Sequence, residues 1–229
     1  MTALSQPAPR ATELSRPAGS PVRLGLLLTA LASLAAFALE GFEVLTHPLN
    51  GLDLGIERAV QGAYWGPLVA AFGAVDFLEG LKQVALAAIG LVMVFLLHRR
   101  GFLLMAWGAL SGGAYTLLQM FIHRPRPSAN LVHVLRHTNG YSFPSGHALF
   151  FVWFLSYLIL ILSRRYLSRP LYIAAWVLMA VVLAIVCVGR LYIAEHWPSD
   201  VLAGLLLGLG WSLLGLSVRR LSDPVLQHA

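Results

Sequence analysis

PLYIAAWVLMAVVLAIVCVG, residues 170–189, is a run of twenty residues without a charged side chain. A helix needs about 20 mainly apolar residues to cross the hydrocarbon core of a bilayer. The character of the chain changes immediately afterwards, where residues 190–200 read RLYIAEHWPSD. The stretch therefore predicts a membrane-spanning helix that leads into a segment rich in ionisable side chains.

Five further apolar runs resemble this one in length and composition: residues 24–44, 79–97, 101–122, 143–163 and 201–218. Over the whole chain 58% of the residues are hydrophobic and 11% are charged, whereas soluble domains carry about 25% charged residues. This leaves too little polar surface to cover a soluble globule. We therefore predict an all-α fold, a six-transmembrane-helix bundle that forms one domain over residues 23–220.

The segments outside this domain set the orientation. Residues 1–22 are rich in Pro, Ala, Ser and Thr and predict a disordered tail, and residues 221–229 form a second, shorter tail. Six spans put both tails on one side, together with ten of the sixteen basic residues and two of the ten acidic ones. Because basic residues collect on the cytoplasmic side, we expect a multi-pass protein of the cell (inner) membrane with cytoplasmic termini.

A shorter segment, residues 51–64, has a different pattern. Leu52, Ile56 and Val60 recur every four residues, and Asp53 and Glu57 fall on another face. This periodicity predicts a short amphipathic helix. Two interpretations remain open, a helix that lies on the membrane surface and a loop helix that packs on the bundle.

The formal net charge of +6 raises the question of nucleic acid. The basic residues are too few and too scattered for a nucleic-acid surface, so we expect the bilayer and a membrane lipid as partners and no nucleic acid. The single cysteine, Cys187, cannot form an internal disulfide and is expected to be a small buried hydrophobe. The sequence does not indicate an oligomeric state.

Three polar clusters lie at the helix ends that this topology places outside. They read HRPRP at residues 123–127, SFPSGH at residues 142–147 and RLYIAEHWPSD at residues 190–200. The topology was derived without them, so their agreement independently favours one shared site. We expect that site at the outer membrane–water interface.

The residue types in these clusters suit a phosphate group. Arg126 and Arg190 offer planar guanidinium groups that match phosphate oxygens. Ser145 and Gly146 precede a predicted helix, where backbone N–H groups and the helix dipole favour an anion. The clusters therefore predict an anion-binding pocket.

Two histidines and a carboxylate add the means to transfer a phosphoryl group. Histidine changes charge near neutral pH, and His147 and His196 stand in different clusters. Asp200 is close enough in sequence to accept a proton from His196 and fix its tautomer. No spacing resembles a zinc site, so we expect neither a metal nor another cofactor.

These segments resemble the three motifs of the type-2 phosphatidic acid phosphatase family, K-x6-R-P, P-S-G-H and S-R-x5-H-x3-D. The second motif is matched in full by residues 144–147. The third is matched by Arg190, His196 and Asp200, with Gly189 where the family usually has Ser. The first is matched by residues 126–127, but Gln119 stands at the Lys position. The resemblance extends over residues 101–218.

The resemblance implies a metal-independent membrane phosphatase that acts on lipid phosphate monoesters or diphosphates. It implies that His196 is the nucleophile, which forms a phosphohistidine, and that Asp200 orients it. His147 would protonate the leaving oxygen and then activate water. The phosphoryl oxygens would be held by the remaining motif residues: Arg126, Arg190, Ser145 and Gly146.

Gln119 leaves several alternatives open, because it can donate hydrogen bonds but carries no charge. Arg124 or His123 could supply the missing cation, the pocket could favour a different headgroup, or the chain could be a non-catalytic lipid-phosphate binder. A lipid phosphotransferase would use the same histidine. Among the lipid phosphates we rank undecaprenyl diphosphate first, because an outward-facing site on the periplasm or exterior suits recycling of that carrier.

Overall fold

The computed structural model describes residues 20–163 and 166–226, so the predicted disordered tail lies largely outside the described residues. Within those ranges the chain is helical and has no strand, apart from one isolated bridge between Val22 and Val218. The all-α prediction is confirmed there. The helices are α1 (Leu24–Thr46), α2 (Gly51–Gly62), α3 (Leu68–Phe77), α4 (Leu81–Leu97), α5 (Phe102–Ala109), α6 (Ser111–Phe121), α7 (Gly146–Leu158), α8 (Arg169–Tyr192), α9 (Pro198–Ser217) and α10 (Arg219–Leu226).

Four stretches of the described chain are long and apolar enough to cross a membrane: α1, α8, α9 and the stretch Arg99–Phe121, which contains α5 and α6. The pair α3 and α4 adds a fifth if it counts as one span, although it is bent by 80°. The apolar helix Gly146–Leu162 is shorter than a span. The prediction of six spans is therefore not confirmed, and four to five is the supported number.

The difference between α7 and α8 shows that apolar composition alone does not tell whether a helix faces lipid or other helices. Ten of the thirteen residues of α7 are buried inside the protein. Only 6% of the most apolar window of α8 is buried, and large side chains such as Val177 and Leu178 are exposed. An exposed apolar surface of this extent needs lipid as its solvent. Thus α8 is apolar because it faces lipid, and α7 because it forms the protein core.

Small residues let α9 approach the centre of the bundle closely. A Cβ atom added at Gly204 would lie 2.5 Å from the carbonyl oxygen of Ser145, and one at Gly208 would lie 2.9 Å from that of Leu149. Real Cβ atoms essentially never come this close, so α9 can pack here only with glycine at both positions. On its other side, Ser33 of α1 donates a hydrogen bond of 2.8 Å to the carbonyl oxygen of Leu206. The start of α7 is thus held against α9.

The helix α2 confirms the predicted amphipathic segment and shows which face is turned inward. Asn50 caps it by accepting a hydrogen bond of 2.7 Å from the N–H of Asp53. Asp53 and Glu57 are buried, whereas Leu52 is 73% exposed. The helix therefore packs on the bundle through its acidic face. Such a face requires polar or cationic partners inside the protein.

The C-terminal segment from residue 221, predicted as a tail, is helical as far as Leu226. Arg23, at the start of α1, forms an ion pair with Asp223 and donates to the hydroxyl of Ser222. The two ends of the described chain therefore lie together, next to the end of α9, where the N–H of Arg23 donates to the carbonyl oxygen of Ser217.

Candidate active site

A cavity of about 680 Å³ opens between α4, the α5–α6 stretch and α7. His147 and His196 both line it, with Arg126 and Gly146. Much of the remaining lining is apolar and extends along α4 and α7 to Leu91 and Trp153. The cavity therefore brings together members of all three motif clusters and connects them to an apolar slot.

Three nitrogen atoms in the lining of this cavity are buried and have no hydrogen-bond partner in the described structure. They are Nε of Arg126, Nε2 of His147 and Nε2 of Gln83. An unpaired buried polar atom costs free energy, so each such atom in a native structure calls for an explanation. Three of them on one cavity are suited to a ligand rich in acceptor oxygens. We refer to Gln83, Arg126 and His147 as the cavity donors.

The imidazole of His196 is oriented by the backbone. Its Nδ1 lies 2.7 Å from the carbonyl oxygen of Ser142, and a carbonyl oxygen can only accept. The Nδ1–H tautomer is therefore favoured, which leaves the lone pair on Nε2. Such a ring can act as a nucleophile through Nε2.

Asp200 does not make this hydrogen bond, contrary to the prediction that it fixes the tautomer. Its Oδ2 lies 3.8 Å from Nδ1 of His196. That oxygen accepts instead from the N–H of Trp197 at 2.8 Å. Asp200 therefore holds the turn that carries His196 and places a negative charge behind the ring. The partner of the ring is Ser142, which sequence reasoning missed because its carbonyl oxygen belongs to the backbone.

Arg124 lies behind His196 and does not line the cavity, so the structure does not support its predicted contact with substrate. Its side chain is fully buried and donates to Asp200 and Asp53, each at 2.6 Å. It also donates to the hydroxyl of Ser199 at 2.6 Å. Ser199 in turn donates through its backbone N–H to Asp53 at 2.9 Å. We refer to these four residues, Arg124, Asp53, Ser199 and Asp200, as the rear network.

The buried carboxyl of Glu57 lies near the rear network, and neither of its oxygens has a partner in the described structure. Burial, followed by the nearby charges of Asp200 and Asp53, raises the pKa of Glu57 to about 9. Glu57 is therefore protonated at neutral pH. A neutral carboxyl avoids adding a third negative charge beside the two carboxylates that Arg124 already binds.

Arg190 is engaged by carboxylates and does not line the cavity. Its guanidinium is buried and donates to Oε2 of Glu195 at 2.7 Å and to Oδ1 of Asp76 at 3.1 Å. Its Nε has no partner in the described structure. Arg190 is therefore placed as a second layer beside the site. Sequence reasoning did not identify Asp76, which is supplied by α3.

Asp76, Glu79 and Glu195 form a cluster whose ligand oxygens lie within 4.8 Å of one another. Such a cluster could bind a cation, but two guanidinium groups already accompany it. Arg136 pairs with Asp76 and also with Glu79 at 2.7 Å, and Arg190 pairs with two of the three carboxylates. The charge of the cluster is thus largely compensated within the protein.

The backbone N–H groups that were predicted to bind an anion at the start of α7 are partly engaged by the protein itself. The N–H of Ser145 donates to the carbonyl oxygen of Asp200 at 2.9 Å, so it is not available to a ligand. The hydroxyl of Ser145 is buried and has no partner in the described structure. Gly146 lines the cavity, and a Cβ at this position would lie 3.0 Å from the ring of Tyr115. Of the two predicted residues, Gly146 is the one that faces the cavity.

Gln119, at the position of the family's Lys, does not line the cavity either. Its Nε2 donates to the carbonyl oxygen of Phe143 at 3.2 Å. This bond links α6 to the segment that precedes α7. The amide donor that faces the cavity is instead Gln83, which lies on α4 outside all three motifs.

Comparison with known proteins matches the chain to one protein family and to individual proteins. The family model described as the PAP2 superfamily matches residues 86–222. A stretch of 92 residues, 37% of the chain, is 37% identical to the glucose-6-phosphatase catalytic subunit 1 of Haplochromis xenognathus and spans 33% of that protein. The chain thus spans only about a third of the length of this relative.

Two further proteins are similar over most of the chain. The undecaprenyl-diphosphatase of Sulfolobus acidocaldarius is 28% identical over 187 residues, which cover 80% of this chain and 78% of that protein. The first transmembrane PAP2-type phosphatidylglycerolphosphate phosphatase from Bacillus subtilis has a similar fold, with a TM-score of 0.67 and 21% identity. That superposition covers 81% of this chain and 93% of the other.

Proposed function

The chain belongs to the PAP2 superfamily, and from this premise we propose that it is an integral-membrane phosphatase that hydrolyses a lipid phosphate or lipid diphosphate. The observation that carries the proposal is the cavity, which has unpartnered nitrogen atoms and two histidines at one end and an apolar slot at the other. A lipid phosphate has the same division between an oxygen-rich head and a hydrocarbon tail.

The order of residues along the helices supports this division of the cavity. At the polar end, α4 begins just after Glu79, and α7 begins at Gly146. Farther along the same helices, the lining is formed by Leu91 and Trp153. Eight residues of helix separate Gln83 from Leu91, which corresponds to a rise of about 12 Å. The slot can therefore hold the first part of a lipid chain while the phosphate remains beside the histidines.

In the proposed mechanism His196 is the nucleophile. Its Nε2 lone pair attacks phosphorus, and the bond between phosphorus and the oxygen on the lipid side breaks. His147, which takes up a proton when the phosphate anion binds beside it, donates that proton to the oxygen as it leaves. Arg126 stabilises the charge that develops on the phosphoryl oxygens. The first step thus yields a phosphohistidine and a lipid that has lost one phosphoryl group.

The second step reverses the role of His147. The imidazole, now neutral, accepts a proton from a water molecule whose oxygen attacks the phosphohistidine. The N–P bond breaks, inorganic phosphate forms, and His196 returns to its starting state. The rear network acts as a positioning device in both steps, because it holds the turn on which His196 stands.

Undecaprenyl diphosphate is the substrate that we rank first. The relative from Sulfolobus acidocaldarius is named for this activity and matches 80% of the chain. The two ends of the described chain lie together, and the excess of arginine that we assign to their side supports cytoplasmic termini and a site that faces the periplasm or exterior. In this proposal residues 1–22 and 221–229 flank the membrane domain, residues 23–220, on the cytoplasmic side of the inner membrane.

The test is phosphate release by the purified protein in detergent micelles. The panel consists of undecaprenyl diphosphate, phosphatidic acid and phosphatidylglycerophosphate, each with and without EDTA. The expected result is release of phosphate from lipid substrates, highest for the diphosphate and unchanged by EDTA. Product analysis with an added alcohol would reveal a transferase. Absence of release from all three lipids, or its loss in EDTA, would contradict the proposal.

A further inference from the structure

Gln83 stands out among the cavity donors because it belongs to none of the three motifs. It lies in the first turn of α4, and its Nε2 is buried without a partner in the described structure. An amide nitrogen offers two N–H groups and cannot accept. The cavity therefore presents a donor that the motif chemistry leaves unused.

The position of Gln83 along α4 indicates what this donor would meet. Gln83, Ala87 and Leu91 of α4 line the cavity, as does Glu79 just before the helix, and the spacing of four residues places the three helical residues on one stripe of α4. Gln83 is the last polar side chain of this stripe before the apolar residues begin. It therefore lies between the histidines and the slot, at the level of the group that joins the reacting phosphate to the lipid tail.

The charge beside Gln83 is compensated. Glu79 lies just before the start of α4, and Arg136 pairs with its carboxylate at 2.7 Å. A full negative charge at this place would repel a second phosphate. With Arg136 bound to Glu79, the amide N–H groups of Gln83 can face an anionic oxygen.

We propose that Gln83 is a specificity-determining residue that donates a hydrogen bond to the lipid-side phosphate of a lipid diphosphate. This inference rests on the proposed function and names its substrate class. A hydrogen bond to an ionised acceptor is stronger than one between neutral groups. Since the lipid-side phosphate departs with the tail and gains charge as the bond breaks, Gln83 stabilises the leaving group. A lipid monophosphate has an ester oxygen and carbon at this level, so it benefits little.

The experiment compares farnesyl diphosphate with farnesyl phosphate, which share a tail and differ by one phosphate. Gln83→Met keeps the approximate length of the side chain and removes the donor. We expect kcat/KM for the diphosphate to fall about tenfold and kcat/KM for the monophosphate to change by less than about twofold. Gln83→Glu, which places a carboxylate beside the leaving phosphate, should lower the diphosphate value further.

Thr116→Val is the matched control. Thr116 also lines the cavity, but its hydroxyl already donates to the carbonyl oxygen of Gly112 at 2.9 Å. The ratio of the two kcat/KM values should stay within about twofold of the wild-type ratio. Activity of Gln83→Met on the monophosphate serves as the check of folding.

Each outcome separates the two proposals. If Gln83→Met lowers both substrates equally or leaves their ratio unchanged, Gln83 does not recognise the lipid-side phosphate and the inference is wrong. A wild-type protein that hydrolyses the monophosphate but not the diphosphate also overturns it, while the lipid phosphatase proposal stands. If the wild-type protein releases phosphate from neither compound nor from the wider lipid panel, the proposed function fails as well.

Discussion

The two sides of His196 differ in how completely their polar atoms are satisfied. Behind it, the rear network joins Arg124 to two carboxylates at 2.6 Å, and Asp53 binds both the N–H and the hydroxyl of Ser199. In front of it, each of the cavity donors has a buried nitrogen atom without a partner in the described structure. A network in which the polar groups are hydrogen-bonded to one another resists movement, whereas donors without a partner can bind a ligand. The contrast distinguishes the residues that position His196 from the residues that are proposed to bind the substrate.

Replacement of His196, which stands between the two sides, should have the largest effect. His196→Ala removes the proposed nucleophile, so we expect turnover to fall by about 10⁴-fold or more while the protein remains folded. A substrate that carries a labelled terminal phosphate should label wild-type His196 and leave the variant unlabelled. The control is His133→Ala, because His133 lies in an exposed loop and does not line the cavity. Full activity in His196→Ala, or label on Ser145, would rule out the mechanism.

On the rear side, the expected effect is on stability. Asp53→Ala leaves the buried guanidinium of Arg124 with one carboxylate instead of two and frees the N–H of Ser199. We expect a loss of about 3 kcal/mol in the free energy of unfolding, measured by denaturant unfolding in micelles. Asp223→Ala, which breaks the more exposed ion pair with Arg23, should cost less than about 1 kcal/mol. Equal losses would show that the rear network is not a special element of stability.

On the cavity side, the expected effect is on catalysis. Arg126→Met removes the proposed donor to the phosphoryl group and one hydrogen bond of 2.7 Å to the carbonyl oxygen of Glu195, so we expect kcat/KM to fall about 10²-fold with a much smaller change in the unfolding midpoint. The comparison variant is Arg58→Met. Arg58 is exposed and donates to the carbonyl oxygen of Leu131, so its loss should leave kcat/KM within about twofold. A large loss of stability in Arg126→Met would contradict the distinction between a rear side that stabilises the fold and a cavity side that serves catalysis.

The last expected effect concerns the pH dependence of stability. The pKa of Glu57 rises from 4.5 to about 9 on folding, so the folded state binds more protons between these values and stability falls as pH rises. One proton corresponds to at most about 1.4 kcal/mol per pH unit. Glu57→Gln should therefore stabilise the protein more at pH 8 than at pH 5, as followed by unfolding midpoints. Glu43→Gln, at an exposed carboxylate, should show no such trend, and a parallel shift at both pH values would contradict the assignment.

Much of the site could be predicted from the sequence, because the motif residues act through their own side chains at fixed spacings. His147, His196 and Arg126 do meet at one cavity. The sequence could not separate Arg124 from Arg126, two residues apart, because the partner of Arg124 is a carboxylate on α2, seventy-one residues earlier. The sequence indicated that Asp53 and Glu57 share one face of α2. It could not indicate which residues these carboxyl groups contact, because that depends on how the helix packs on the bundle.

The limits of the fold prediction have a similar origin. Hydropathy identifies apolar helices but not what surrounds them, so α7, which is buried by other helices, could not be distinguished from a lipid-facing helix such as α8. The 80° bend between α3 and α4 arises at Gly80, whose φ of 61° is in the left-handed region. Gln83 follows this bend and faces the cavity because of it. A linear pattern of apolar residues does not reveal such a turn.

The close approach of α9 to the start of α7 has a mechanical consequence. With only a hydrogen atom at Gly204 beneath the carbonyl oxygen of Ser145, and with Ser142 and Asp200 bound across the same seam, the segments that carry His147 and His196 form one rigid body. We therefore expect the separation of the two imidazoles to change little when a lipid binds. If a bulky tail widens the cavity, we expect the displacement at the opposite wall, α4, which follows the turn at Gly80.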